Sequence, residues 1–366
     1  MKFKLIQVLR AIAALVVILY HLIAHINQHF NYTLFNNIFQ FGVAGVDFFF
    51  VLSGFIITWV HYNDIKLQGN WRRFFTKRII RIYPLYWVIA ILSVVIFVFM
   101  TPNRLKSTGL TMDLTSPYIL GSLLQSFVLI PQKGMYLVGV AWTLSYEMLF
   151  YLVFGMCIAG GYYLTRIVTV AWLTLITTNA LFFRWDNFYI DFLLNPIILE
   201  FMMGCVVAWL FIKRIKIPVK LLYVLLPVLF VLAILTIKLD GLKIDRDLLT
   251  VLILGISFAV FTYVAVDADI GYPNARYPAV LLLIGDASYA IYLFHQTLYG
   301  ATVRMYLKAA VMLHISLPPV VVALIMVVIT VFVGVFIHLY IEMPLLRALN
   351  RKFTQTPAPA LQASAS

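Results

Sequence analysis

Apolar residues come in unbroken runs of about twenty, near residues 5–25, 40–60, 83–101, 145–163, 166–183, 191–212, 221–237, 249–267, 279–299 and 319–341. About 20 apolar residues span a bilayer's hydrocarbon as a helix. The runs do not alternate apolar and polar in ten-residue segments, as barrel strands do. The pattern therefore predicts an all-α integral membrane protein of ten transmembrane helices. An eleventh run, about 118–130, is too short to cross and follows Thr-rich polar sequence. It is expected to be re-entrant or interfacial.

The positions of the basic residues orient this arrangement. With the N-terminus inside, 17 of the 27 Lys and Arg fall on the inner side, nine fall outside, and Arg10 stays within its span. Making 118–130 a span changes the balance to 15 against 11, so positive-inside bias favours ten spans with both termini cytoplasmic. The segment 101–143 is then the longest extramembrane stretch and lies outside; loops of this length are usually functional or disordered. The Pro/Ala/Ser-rich end predicts a division into a membrane domain, 1–345, and a disordered cytoplasmic tail, 346–366. No internal repeat is visible.

Composition narrows the class. The chain of 366 residues is 63% hydrophobic and 11% charged, against about 25% charged in soluble domains. A net charge of +13 raises the question of nucleic acid, but its placement along one membrane margin points to membrane lipids instead. The first run is long, contains Arg10 and His21, and meets no cleavage site, so it reads as a retained span and not a signal peptide. Cys157 and Cys205 both sit in apolar runs, which argues against a disulfide or a thiolate metal site.

Polar groups inside apolar runs carry the candidate chemistry. Arg10 and His21 are eleven residues apart, which puts them on one helical face about 16 Å from each other. A cation near mid-membrane costs about 2.5–3.5 kcal/mol on insertion scales, so a stripe joining a permanent cation to a titratable base reads as a site. The segment WRRFFTKRIIRIYPLYW (71–87) can gather Arg72, Arg73, Lys77, Arg78 and Arg81 on one side, with Pro84 opening the third span. It is either an interfacial helix on anionic headgroups or a site for a phosphate-rich cytoplasmic cosubstrate. In GVAGVDFFFVLSGF (42–55), Asp47 and Ser53 lie at membrane depth, and Asp47 is either a structural ion-pair partner of an arginine or lines a wet cavity.

AWTLSYEMLFY (141–151) places Glu147 beside Trp142 and Tyr146 at the outer end of a span. That is either an interface-level glutamate or a group that orients an imidazole or acts as acid or base. Glu200, in mid-span, reads as a packing or pairing partner. In GDASYAIYLFHQTL (285–298), Ser288, Tyr292 and His295 share a helical face, with structural and catalytic readings both open for His295. His21, His25 and His29 follow a spacing compatible with metal, but no carboxylate or cysteine pattern accompanies them, and no metal is expected.

With these stretches in view, the chain resembles the bacterial membrane acyltransferase 3 family from the first span to about Glu342. The resemblance rests on LRAIAALVVILYH, GVDFFFVLSGF, RFFTKRIIRIYPLYW, AWTLSYEM and SYAIYLFH in this order. The short lead and the lack of an appended hydrolase domain look most similar to exopolysaccharide O-acetyltransferases of the succinoglycan type. The resemblance implies transfer of acetyl from cytoplasmic acetyl-CoA to a hydroxyl of an exported or lipid-linked glycan at the bacterial inner membrane. The chemistry then assigns His21 as general base and Glu147 as a second catalytic group. Arg10, Arg78, Arg81 and Tyr83 would hold the CoA phosphates. Asp47, Ser53, Trp142, Ser288, Tyr292 and His295 would support the site. The competing class is a proton-coupled transporter, for which intramembrane Asp, Glu and His are equally typical.

Overall fold

The computed structural model describes residues 3–67, 71–100, 117–134, 136–183, 185, 187–240 and 247–353. Among these residues every regular element is helical. In order they are α1 (Lys4–Phe30), a 3-10 segment (Leu34–Ala44), α2 (Gly45–Lys66), α3 (Trp71–Met100), α4 (Pro117–Val128), α5 (Ala141–Phe182), α6 (Phe188–Leu193) and α7 (Ile198–Ile212). There follow α8 (Val219–Asp240), α9 (Leu248–Gly271), α10 (Ala279–Asp286), α11 (Ser288–Leu313), α12 (Pro319–Ile337), a π turn (His338–Glu342) and α13 (Met343–Phe353).

Eight helical segments among the described residues are long and apolar enough to cross a membrane, and the pair α10–α11, bent by 71°, makes a ninth. The spans expected over 145–163 and 166–183 are a single 42-residue element, α5, which Gly161 interrupts with φ 72 and ψ −164. Only a residue without a Cβ takes that conformation readily, so the sequence break becomes a kink and not a loop. α3 also departs from expectation. It begins at Trp71, with Pro84 inside it, so the basic segment is the opening turns of a spanning helix and not a separate interfacial one. The tail boundary expected after residue 345 falls inside α13. Residues 354–366, like 101–116 of the expected outer segment, lie outside the described residues.

The bundle is built around α2, which packs most extensively on α7. Glycines allow this closeness. A Cβ on Gly54 would strike the Phe201 carbonyl, and one on Gly204 would strike the Val51 carbonyl, so the two backbones touch, as small residues permit between membrane helices. α1 lies against α10, α11 and the 3-10 segment, which sets its Arg10 and His21 face toward α11.

The short helix α4 is 12 residues long, too short to cross. Its last carbonyls lack intrahelical partners. Three aromatic donors from α3 satisfy them: Tyr83 to Val128 at 2.7 Å, Tyr86 to Ser126 at 2.5 Å and Trp87 Nε1 to Phe127 at 2.9 Å. Tyr83, expected to hold cosubstrate phosphate, is engaged in capping this helix.

Candidate active site

A cavity of about 260 Å³ opens where α1, α2, α3, α5 and α11 meet. Arg10, Arg78 and Arg81 line it together with Ser53, Glu147, Thr143, Tyr151, Ser288, Tyr289 and Tyr292, over apolar walls from α2. Three guanidinium groups thus face a single carboxylate among the lining residues. The bend between α10 and α11 adds to this polarity, because it turns the first residues of α11, Ser288 and Tyr289, onto the cavity. A helix N-terminus carries partial positive charge.

Each arginine is fixed by a group remote in sequence or on a neighbouring turn. Arg10 Nη2 donates to Ser288 Oγ at 2.9 Å, and its Nη1 donates to Gln7 Oε1 at 3.2 Å. Arg81 Nη1 donates to Glu342 Oε1 at 2.9 Å, and the other Glu342 oxygen meets His338 Nδ1 at 2.8 Å. Arg78 Nη2 donates to His61 Nε2 at 3.0 Å, and its guanidinium stands 5.5 Å from the Phe74 ring and 5.6 Å from the Tyr151 ring. Glu147 Oε1 accepts from Ser53 Oγ at 3.1 Å and from the Tyr151 hydroxyl. Two hydroxyls therefore hold the carboxylate within the cavity, away from any imidazole.

α11 leads from the cavity to the histidines. Ser288 and Tyr292 line the cavity, and His295 is one turn further along the same face. His295 meets His21 edge to face, ring centroids 4.8 Å apart. His21 Nδ1 contacts the Val17 carbonyl at 3.0 Å, and His295 Nδ1 contacts the Tyr292 carbonyl at 2.5 Å. A carbonyl only accepts, so both Nδ1 atoms carry hydrogen, and each neutral ring presents Nε2 as its basic nitrogen. His295 is fully buried and its Nε2 has no hydrogen-bond partner.

His21 is not among the residues lining the cavity. Tyr292 does line it, its hydroxyl bonded to Thr143 Oγ1 at 3.1 Å, its ring 6.0 Å from Phe49 and 5.9 Å from the His295 ring. Of the Arg10–His21 stripe expected from the sequence, Arg10 lines the cavity and His21 does not.

The structure brings Arg10, Arg78, Arg81, Ser53, Glu147, Ser288 and Tyr292 together and sets His21 and His295 beside them. It places the other candidates elsewhere. Asp47 is fully buried in the first turn of α2, off the cavity wall. Trp142 packs against Tyr146, centroids 6.2 Å apart, at the edge of the core. Tyr83 caps α4. Of the five basic residues expected to act as a group, Arg72 and Arg73 are exposed, and only Arg78 and Arg81 reach the cavity. Sequence reading missed Glu342, His338, His61 and Asp64. Their signal is local: His61 and Asp64 are three apart and His338 and Glu342 four apart, each pair near the end of a long helix. Nothing in that spacing says which arginine they meet.

These features define an integral membrane protein with an internal, arginine-lined cavity next to paired imidazoles. A family profile described as an acyltransferase domain matches residues 3–339. The chain belongs to the acyltransferase 3 family and is an acyltransferase, which sets aside the transporter reading. It is similar to the exopolysaccharide production protein ExoZ of Rhizobium meliloti (strain 1021), 30% identical over 272 residues, 70% of this chain and 76% of that one. It is also similar to the putative peptidoglycan O-acetyltransferase YrhL of Bacillus subtilis (strain 168), 30% identical over 172 residues, 43% of this chain and 24% of that one. A third relative is the peptidoglycan O-acetyltransferase OatA of Listeria monocytogenes, 34% identical over 105 residues, 27% of this chain and 14% of that one. No solved structure matches the chain.

Proposed function

We propose that this acyltransferase moves an acetyl group from acetyl-CoA to a hydroxyl of an exported or lipid-linked glycan. The observation that carries the reading is the convergence of Arg10, Arg78 and Arg81 on one cavity beside the His21–His295 pair. Three fixed cations suit a ligand with several phosphates, since Arg forks bind phosphate in two places at once. Arg78 Nε is buried without a hydrogen-bond partner, an open donor toward such a ligand. The names of ExoZ and the peptidoglycan O-acetyltransferases support a polysaccharide acceptor.

Acetyl-CoA supplies the thioester, whose acyl C–S bond breaks as the new C–O ester bond forms. The chain's residues manage binding and protons. Arg10, Arg78 and Arg81 hold the phosphates at the cytoplasmic end of the bundle. His21 Nε2 takes the proton of the attacking hydroxyl and returns it to the leaving sulfur. His295 packs against His21 and fixes its ring. Tyr292 lines the cavity and packs on His295, linking the arginines' wall to the histidine pair. Glu147, held by Ser53 and Tyr151, limits the cavity's positive charge and orders its wall.

Purified protein supplied with radiolabelled acetyl-CoA and a polysaccharide acceptor tests the reading. Label should pass to the acceptor in an alkali-labile ester. Absence of transfer, together with protein-dependent uptake of a solute, would overturn it.

A further inference from the structure

We infer that His61 and Asp64 are positioning residues for Arg78, holding its guanidinium aimed into the cavity without neutralising it. The inference rests on the donor reading above and adds two residues to it. Arg78 Nη2 can only donate, so the His61 Nε2 that it meets at 3.0 Å is that ring's unprotonated nitrogen. His61 Nδ1 therefore carries the hydrogen and donates to Asp64 Oδ2 at 2.6 Å. The order is carboxylate, imidazole, guanidinium, from the end of α2 into the cavity.

Arg81 shows what this order accomplishes. Its carboxylate, Glu342, touches it directly and offsets its charge. Arg78 is oriented through a neutral ring, with its carboxylate one imidazole removed. The guanidinium stands over the Phe74 and Tyr151 rings at 5.5 and 5.6 Å, and these rings accept no in-plane hydrogen bond. The rotation of the group is accordingly set by His61. Arg78 keeps both its aim and its charge for an anion, and its unpartnered Nε faces the same task.

The test uses the full-length protein with acetyl-CoA as the probe, following equilibrium binding and the KM for acetyl-CoA. His61→Leu, which cannot accept from Arg78, should weaken acetyl-CoA binding about tenfold, the scale of a lost hydrogen bond to a charged group. KM should rise in step while kcat changes little. His61→Gln, whose side-chain oxygen can accept in place of Nε2, should restore most of that affinity. Asp64→Ala should show a smaller loss and is safe for folding, because that side chain is 48% exposed. In an Arg78→Ala background, His61→Leu should cost nothing more.

Unchanged binding in both His61→Leu and Asp64→Ala overturns the inference. So does the same loss with or without Arg78, or a His61→Gln protein as weak as Arg78→Ala. Wild-type protein that binds no acetyl-CoA overturns the donor reading itself. That outcome differs from failure of the positioning pair alone, in which wild type binds and the variants bind equally well.

Discussion

The arginine-lined cavity and the histidine pair lie one helical turn apart along α11, yet they are built on opposite lines. Around the cavity, side chains answer side chains across the bundle: Arg10 with Ser288, Arg81 with Glu342, Arg78 with His61. At the histidines, both fixing bonds run to backbone carbonyls of the same helix, Val17 for His21 and Tyr292 for His295. The rest of that environment is aromatic, with Tyr20 and Tyr299 rings near the pair. A group that binds phosphate needs a fixed charge, and side-chain partners provide it: Ser288 and Gln7 for Arg10, His61 for Arg78, Glu342 for Arg81. A group that takes and returns a proton needs a fixed tautomer and no counter-ion, and a carbonyl bond in an apolar cage provides that. On the proposed reading, the difference separates binding from chemistry.

The largest effect should come from the histidine side. His21→Ala should reduce acetyl transfer about 10²–10⁴-fold, the usual scale of general acid–base catalysis, in a radiolabel assay with KM for acetyl-CoA unchanged. A variant that keeps full activity would dissolve the division.

Next in size is the ion pair at the cavity. Glu342 is 1% exposed, so Arg81→Ala strands a buried carboxylate. Arg81 is itself 37% exposed and Glu342 keeps His338 at 2.8 Å. The loss should therefore be that of one unsatisfied buried group, about 2 kcal/mol, seen as a lower unfolding midpoint of the purified protein along with a raised KM for acetyl-CoA. Adding Glu342→Gln should recover much of the stability and none of the affinity. Recovery of both would show that Arg81 serves the fold alone.

The smallest effect should be at Tyr83. Tyr83→Phe removes one capping bond, worth about 0.5–1.5 kcal/mol, and should leave KM for acetyl-CoA where it was. A raised KM would return this tyrosine to the binding site, where its sequence position first put it.

The helical membrane class, nearly all the spans and the shared face of Ser288, Tyr292 and His295 were legible in the chain, whereas the bond from Arg10 to Ser288 was not. Apolar run length and helical phase are local properties, and α1 and α11 keep their phase through the site. The 71–87 stretch read less well, because a basic run with aromatics looks the same whether it lies on a membrane or enters one. Pro84 within α3 decided the matter only in three dimensions. Glu342 and His61 escaped notice because their meaning lies in partners distant in sequence: Glu342 is matched to an arginine 261 positions away. Tyr83 shows the converse: its neighbourhood in sequence is the arginine cluster, while its hydroxyl donates to the Val128 carbonyl at the end of α4. That His21 stands off the cavity wall is a packing fact, and no periodicity reports packing.

The most direct test of the separation is equilibrium binding of acetyl-CoA to wild type, His21→Ala and Arg78→Ala side by side. We expect His21→Ala to bind as wild type does and Arg78→Ala to lose most of its affinity. Equal binding by all three, or loss confined to His21→Ala, would contradict it.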